Sequence, residues 1–187
     1  MQESARFILM YLVFPLWVAA GFADFACHRR TRIAWTSGLK ENLLHIAMFA
    51  QMALGIAAVA LLEVNAAVLL LVLVVFLVHE LTVYWDLDYS TPLRKVGPFE
   101  QMVHSFQEIL PLTSVALLAV IAWPQALALA GLGTETADWS LRPKEQPLPL
   151  SYLAAGFLSS LMFNAAPLLH ETYACVKART LPNPGPR

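Results

Sequence analysis

Five stretches of roughly twenty apolar residues, the length of helix that crosses a hydrocarbon core of about 30 Å, constrain this chain more than anything else in it. They run from Phe7 to Cys27, Asn42 to Leu62, Ala66 to Tyr84, Phe99 to Trp123 and Leu150 to Cys175. An open strand in lipid would leave its backbone amides unpaired, so each stretch is expected to be helical. The predicted fold is all-α: a polytopic membrane bundle of about five transmembrane helices forming one domain over residues 1–180, with a flexible tail over 181–187. With 58% hydrophobic and only 13% charged residues, a soluble globule is excluded. A net charge of -1 offers no basic field for a nucleic acid, so no such partner is expected.

The linkers agree with this division. Glu63, Val64 and Asn65 leave room only for a tight turn, which makes the second and third spans antiparallel neighbours. Asp86 to Pro98 and Pro124 to Pro149 read as linkers, and the first apolar run reads as a retained helix rather than a cleaved signal. Cys27 and Cys175 match no disulfide or C-x-x-C pattern. Nine of the 12 basic residues (Arg29, Arg30, Arg32, Lys40, Arg94, Lys95, Lys177, Arg179 and Arg187) fall on one side of a five-span arrangement. By the positive-inside rule that side is cytoplasmic and the N-terminus points out, with a bacterial inner membrane the expected location. Arg94 and Lys95 are read as topological charges, with a lipid phosphate as the alternative partner, and the tryptophans as an interfacial belt.

All five histidines fall at the cytoplasmic ends of the spans: His28, His45, His79, His104 and His170. Acids accompany them at helical spacing. Asp24 precedes His28 by four residues, Glu41 precedes His45 by four, and Glu100, His104 and Glu108 form a stripe at the same interval. Residues four apart on a helix share a face, so each pair presents a carboxylate and an imidazole to one point. His79 is followed by Glu80, with Asp86 on its own face, and His170 is followed by Glu171. An Asp at membrane depth costs about 2.5 to 3.5 kcal/mol, so these groups should face inward and be paired or metal-bound.

The candidate metal ligands are therefore Asp24, His28, Glu41, His45, His79, Asp86, Glu100, His104, Glu108 and His170. Glu80 and Glu171 are assigned as acceptors for ring N–H groups, although a hydrogen-bonded pair between Asn164 and Glu171, beside a helix distorted at Pro167, is an alternative use of that region. One zinc takes about four ligands, so this set exceeds one ion's needs and two metal ions fit better. Mixed imidazole and carboxylate ligation with no thiolate suits iron, manganese or zinc, with iron the first choice.

In Asp24-x-x-x-His28, Glu41-x-x-x-His45, His79-Glu80, Glu100-x-x-x-His104-x-x-x-Glu108 and His170, the chain resembles the integral-membrane di-iron oxidases of the desaturase and hydroxylase group. The likeness lies in the placement of ligands on the cytosolic ends of membrane helices; the H-x-x-H-H boxes of that group are absent. It implies an oxidoreductase that uses O2 on a membrane lipid or another apolar substrate. An external electron donor is expected, since the chain has no G-x-G-x-x-G fingerprint. The alternatives are a zinc-dependent membrane hydrolase, a haem-binding electron carrier with two facing histidines, and a metal or proton transporter.

Overall fold

The computed structural model describes residues 1–182, so all but the first two residues of the expected tail (183–187) lie outside it. Its helices are α1 (Gln2–Thr31), α2 (Gly38–Leu61), α3 (Ala66–Ser90), α4 (Pro98–Ile121), the short α5 (Trp123–Leu129) and α6 (Leu150–Ala178). All but α5 are long and apolar enough to cross a bilayer, and the chain is an all-α bundle.

Local chemistry sets the helix ends. Asn65 caps α3, its side chain accepting from the Val68 amide at 3.2 Å. Pro98, whose missing N–H costs nothing in a first turn, opens α4 after Gly97. Arg32 closes α1 in the left-handed region (φ 56°), its amide returning to the His28 carbonyl. Two expected linkers are partly helical. The third span was expected to stop at Tyr84, but nothing before Pro92 breaks the helix and it runs to Ser90, so Asp86 is a buried helical residue rather than the start of a linker. The stretch after Pro124 contains α5.

α1 and α6 each contain one wide π turn, at Leu9–Val13 and Leu161–Ala165. Each lies just ahead of a proline, Pro15 and Pro167. In such a turn a carbonyl looks to the amide five residues on. For Met10 that residue is Pro15, which has no hydrogen to give, and the Tyr152 hydroxyl donates to the Met10 carbonyl instead at 3.0 Å. The proline thus ties α6 to α1.

The helices pack in a closed ring, α1 against α4, α4 against α3, α3 against α2, α2 against α6, and α6 back against α1. An apolar core of Ala5, Ala58, Val68, Leu69, Val72, Leu118 and Ile121 fills one end of the ring. The segment after α5 covers that end, pairing with the α2–α3 turn through Glu63 N–H to the Arg142 carbonyl (3.0 Å) and Lys144 N–H to the Leu61 carbonyl (3.0 Å). The other end, where α1, α3 and α6 finish and α2 and α4 begin, carries the polar groups.

Candidate metal centre

Four-residue spacing carries Asp24 and His28 on α1, and Glu100 and His104 on α4, to the same side of their helices, and both pairs are buried. One ligand atom from each of the four lies within 4.8 Å of the others. Asp24 Oδ1 is 3.0 Å from His104 Nε2 and 3.4 Å from His28 Nε2, and Glu100 Oε1 is 3.9 Å from His28 Nε2. On α2, His45 Nε2 stands 3.3 Å from Asp86 Oδ2 of α3, and the His45 ring stacks on that of His28 (centroids 4.5 Å, 14° between planes). The helix ring therefore brings four of its five spans to this pair of stacked imidazoles.

The fifth span supplies Glu171. The His28 Nδ1 side faces Glu171 Oε2 at 3.2 Å, and the Asn42 amide donates to Glu171 Oε1 at 3.0 Å. Thr172 in turn donates to the Asn42 carbonyl oxygen at 2.7 Å. An Nδ1–H held by a carboxylate leaves the Nε2 lone pair of His28 directed at Asp24 and Glu100, the tautomer a metal requires. Asn42 is fully buried and neither it nor Thr172 is a sequence-predicted site residue; the signal for Asn42 is its position next to Glu41 at the start of an otherwise apolar helix.

Arg94, expected to serve topology or to meet a lipid phosphate, is instead buried at this end of the bundle. Its guanidinium donates to Glu41 from Nε (2.9 Å to Oε1, 3.2 Å to Oε2) and Nη2 (2.5 Å to Oε1), and to Glu100 from Nη1 (2.5 Å). Burial alone would lower its pKa, but the Glu41 and Glu100 carboxylates hold it above the ordinary arginine range. Glu41 also belongs to a possible ligand group with His28 and His45. With both of its oxygens already on Arg94, it is better placed to anchor the arginine than to hold an ion.

Three further predicted residues lie apart from the cluster. His170 is exposed, its ring edge-on to Phe25, while its neighbour Glu171 turns inward; adjacent helical residues point about 100° apart, so both cannot face the site. As a ligand, His170 is corrected by this placement. Glu108, also expected as a ligand, is half-buried on the cavity wall and outside both ligand groups. It shares a groove of about 560 Å³ between α3 and α4 with Glu80, which the sequence assigned to a ring N–H but which touches none of the histidines. Asn164 does not pair with Glu171; its amide donates to the Val18 carbonyl at 3.2 Å.

Beneath the cluster lies a cavity of about 110 Å³. His28, His45, His79 and His104 line its polar end, and Trp17, Phe25, Met48, Phe49, Met52 and Leu168 its apolar remainder. His79 is 5% exposed, and among the described residues neither of its ring nitrogens has a hydrogen-bond partner. The same is true of His28 Nε2, His45 Nδ1 and Asp86 Oδ1. Native proteins bury few such atoms, and several around one cavity make it the candidate ligand site of this chain.

Two quantities bear on whether this cluster is a cation site or a plain ion-pair network. The first is charge. Asp24, Glu41, Asp86, Glu100 and Glu171 are all buried, and Arg94 is the one buried lysine or arginine among the described residues. Five carboxylates against one guanidinium leave four negative charges. The second is spacing. Charge-assisted N–H to carboxylate bonds run about 2.7 to 2.9 Å, and Arg94 makes contacts that short. The contacts between candidate ligand atoms are longer: Asp24 Oδ1 stands 3.0 Å from His104 Nε2 and 3.4 Å from His28 Nε2, Asp86 Oδ2 stands 3.3 Å from His45 Nε2, and Glu100 Oε1 stands 3.9 Å from His28 Nε2. Two atoms bound to one ion at about 2.1 Å are about 3.0 Å apart at an octahedral angle and about 3.4 Å apart at a tetrahedral one.

No family model, curated protein or solved structure matches the chain.

Proposed function

We propose that this end of the bundle is a dinuclear metal centre, with iron the first choice, and that the protein is a membrane oxidoreductase acting with O2 on an apolar substrate. The observation that carries the reading is the excess of four buried carboxylates over the one buried guanidinium, beside buried imidazole nitrogens that lack hydrogen-bond partners among the described residues. Two divalent ions neutralise that charge. Asp24, His28, Glu100 and His104 hold one; His45 and Asp86, with His79 across the same cavity, offer the donors for the other. Glu171 orients His28, and Arg94 fixes Glu41 and Glu100.

The apolar cavity beneath the ligands favours a hydrocarbon over a water-soluble substrate. In a hydroxylation, one oxygen atom of O2 enters a C–H bond and the other leaves as water, with two electrons and two protons from an external donor. In the same reading the site faces the cytoplasm of a bacterial cell, because the basic loops share its end of the bundle.

The test is metal analysis of protein purified in mild detergent, together with Mössbauer spectroscopy after enrichment with ⁵⁷Fe. Two equivalents of iron with a coupled-pair signature are expected. A second reading, a zinc hydrolase with one ion at Asp24, His28, Glu100 and His104, is favoured by the sharing of His28 between both ligand groups. One equivalent of zinc without iron would establish it and overturn the first.

A further inference from the structure

The apolar part of the cavity contains one feature that metal binding leaves unused. Asn164 sits inside the π turn of α6, 8% exposed, and lines the cavity. Its Nδ2 donates to the Val18 carbonyl of α1 at 3.2 Å. A carbonyl can only accept, so the amide nitrogen must face Val18 and the amide oxygen is the free end. Among the described residues that buried oxygen has no hydrogen-bond partner.

The placement is built by both helices. A Cβ at position 21 would come within 2.0 Å of Asn164 Nδ2, so only glycine admits the carboxamide here. A buried amide oxygen without a partner is costly, and an apolar residue of the same size would avoid that cost in a lipid-facing bundle.

We propose that Asn164 is a substrate-recognition residue: its Oδ1 accepts a hydrogen bond from a hydroxyl group on an otherwise apolar chain lying in the cavity. The distance along the helices is set by sequence. Gly21 is three residues from Asp24 and Asn164 seven from Glu171, which places the acceptor about 5 to 10 Å below the ligands at 1.5 Å per residue. The substrate class is therefore a long-chain alcohol whose reacting carbon lies that far from its hydroxyl. At about 110 Å³ the cavity holds a segment of such a chain, being somewhat smaller than the roughly 150 Å³ apolar cavity that accepts benzene. The reacting end rests on the metal reading above; the binding claim does not.

The experiment compares 1-decanol with 1-methoxydecane, which has the oxygen but no proton to donate, at equal mole fraction in micelles containing the full chain. Binding is read from the shift in thermal unfolding. Decanol is expected to bind about fivefold to a hundredfold more tightly, the range for leaving a buried acceptor unpaired. Asn164→Leu should abolish the difference. If that variant does not fold, Gly21→Ala takes its place, since its methyl displaces the carboxamide, and the same loss is expected. Equal binding of alcohol and ether, no binding of either, or a preference that survives in the variant would each overturn the proposal. Because the readout needs no metal, a preference for decanol in protein shown to bind no metal would refute the metal centre and leave this inference standing.

Discussion

Replacing Glu171 by Gln tests the metal centre at its most specific joint. The variant keeps the side-chain volume and removes one charge. Its amide oxygen can still accept from His28 Nδ1, but its amide nitrogen then meets the Asn42 amide, so Asn42 must turn over. That rearrangement is tolerable because the Thr172 hydroxyl, released by Asn42, also donates to the Leu168 carbonyl at 2.9 Å. What is lost is the anion behind the imidazole, which raises its basicity and holds its orientation. Loss of such an outer partner weakens metal affinity by about 10- to 100-fold, or about 1.4 to 2.8 kcal/mol at about 1.4 kcal/mol per tenfold. The assay is competition against a series of chelators for iron or zinc in detergent, with circular dichroism as the check on folding. Retained stoichiometry with an affinity loss in that range is expected. Unchanged affinity would mean that His28 is not a ligand through Nε2, and loss of an ion outright would mean that Glu171 ligates directly.

Arg94→Met leaves Glu41 and Glu100 without their cation and should destabilise the protein by about 3–5 kcal/mol, measured by unfolding in mixed micelles. Adding Glu41→Gln should recover more than half of that, and no recovery would refute the ion-pair assignment. His104→Ala should cost at least one bound ion by elemental analysis, whereas His170→Ala and Glu108→Gln should keep both, because neither residue belongs to the ligand cluster. Chelation should lower the unfolding midpoint, since a site with free metal at a hundred times Kd contributes about 2.7 kcal/mol. Insensitivity of the midpoint to chelator would count against any resident metal.

The membrane fold was legible because hydropathy acts over whole spans, and no local detail can reverse twenty apolar residues. The site was legible where four-residue spacing pairs an acid with a histidine on one uninterrupted helix, as at Asp24 and His28 or Glu100 and His104. It failed at His170 because a histidine was weighed above its neighbour. The buried positions on that helix are Asn164, Glu171, Cys175 and Ala178, a stripe of small or polar residues at helical spacing that excludes position 170. The π turn adds to the difficulty, since one extra residue rotates everything beyond it by about 100° and leaves no mark on a hydropathy plot. Arg94 was missed for a different reason. A loop arginine reads as a topological charge, and only the helix ring shows that its guanidinium reaches between the starts of α2 and α4.

Protonation is the competing way to neutralise four buried negative charges, and the stacked imidazoles limit how far it can go. Charging the histidines would have to include His28 and His45, whose rings lie nearly parallel at 4.5 Å, and two imidazolium ions face to face repel each other in a medium that screens poorly. Neutral rings can stack there without that penalty, each with a lone pair free for an ion. Leaving the rings neutral and protonating the carboxylates instead would put a donor on every acid, yet Glu41 and Glu100 already receive hydrogen bonds from Arg94, which has no lone pair to accept one in return. Arg94 thus engages two of the acids as acceptors, and the stack opposes charging both of its rings at once. Positive charge supplied from outside the chain meets both conditions, at the point where Asp24, His28, Glu100 and His104 already converge.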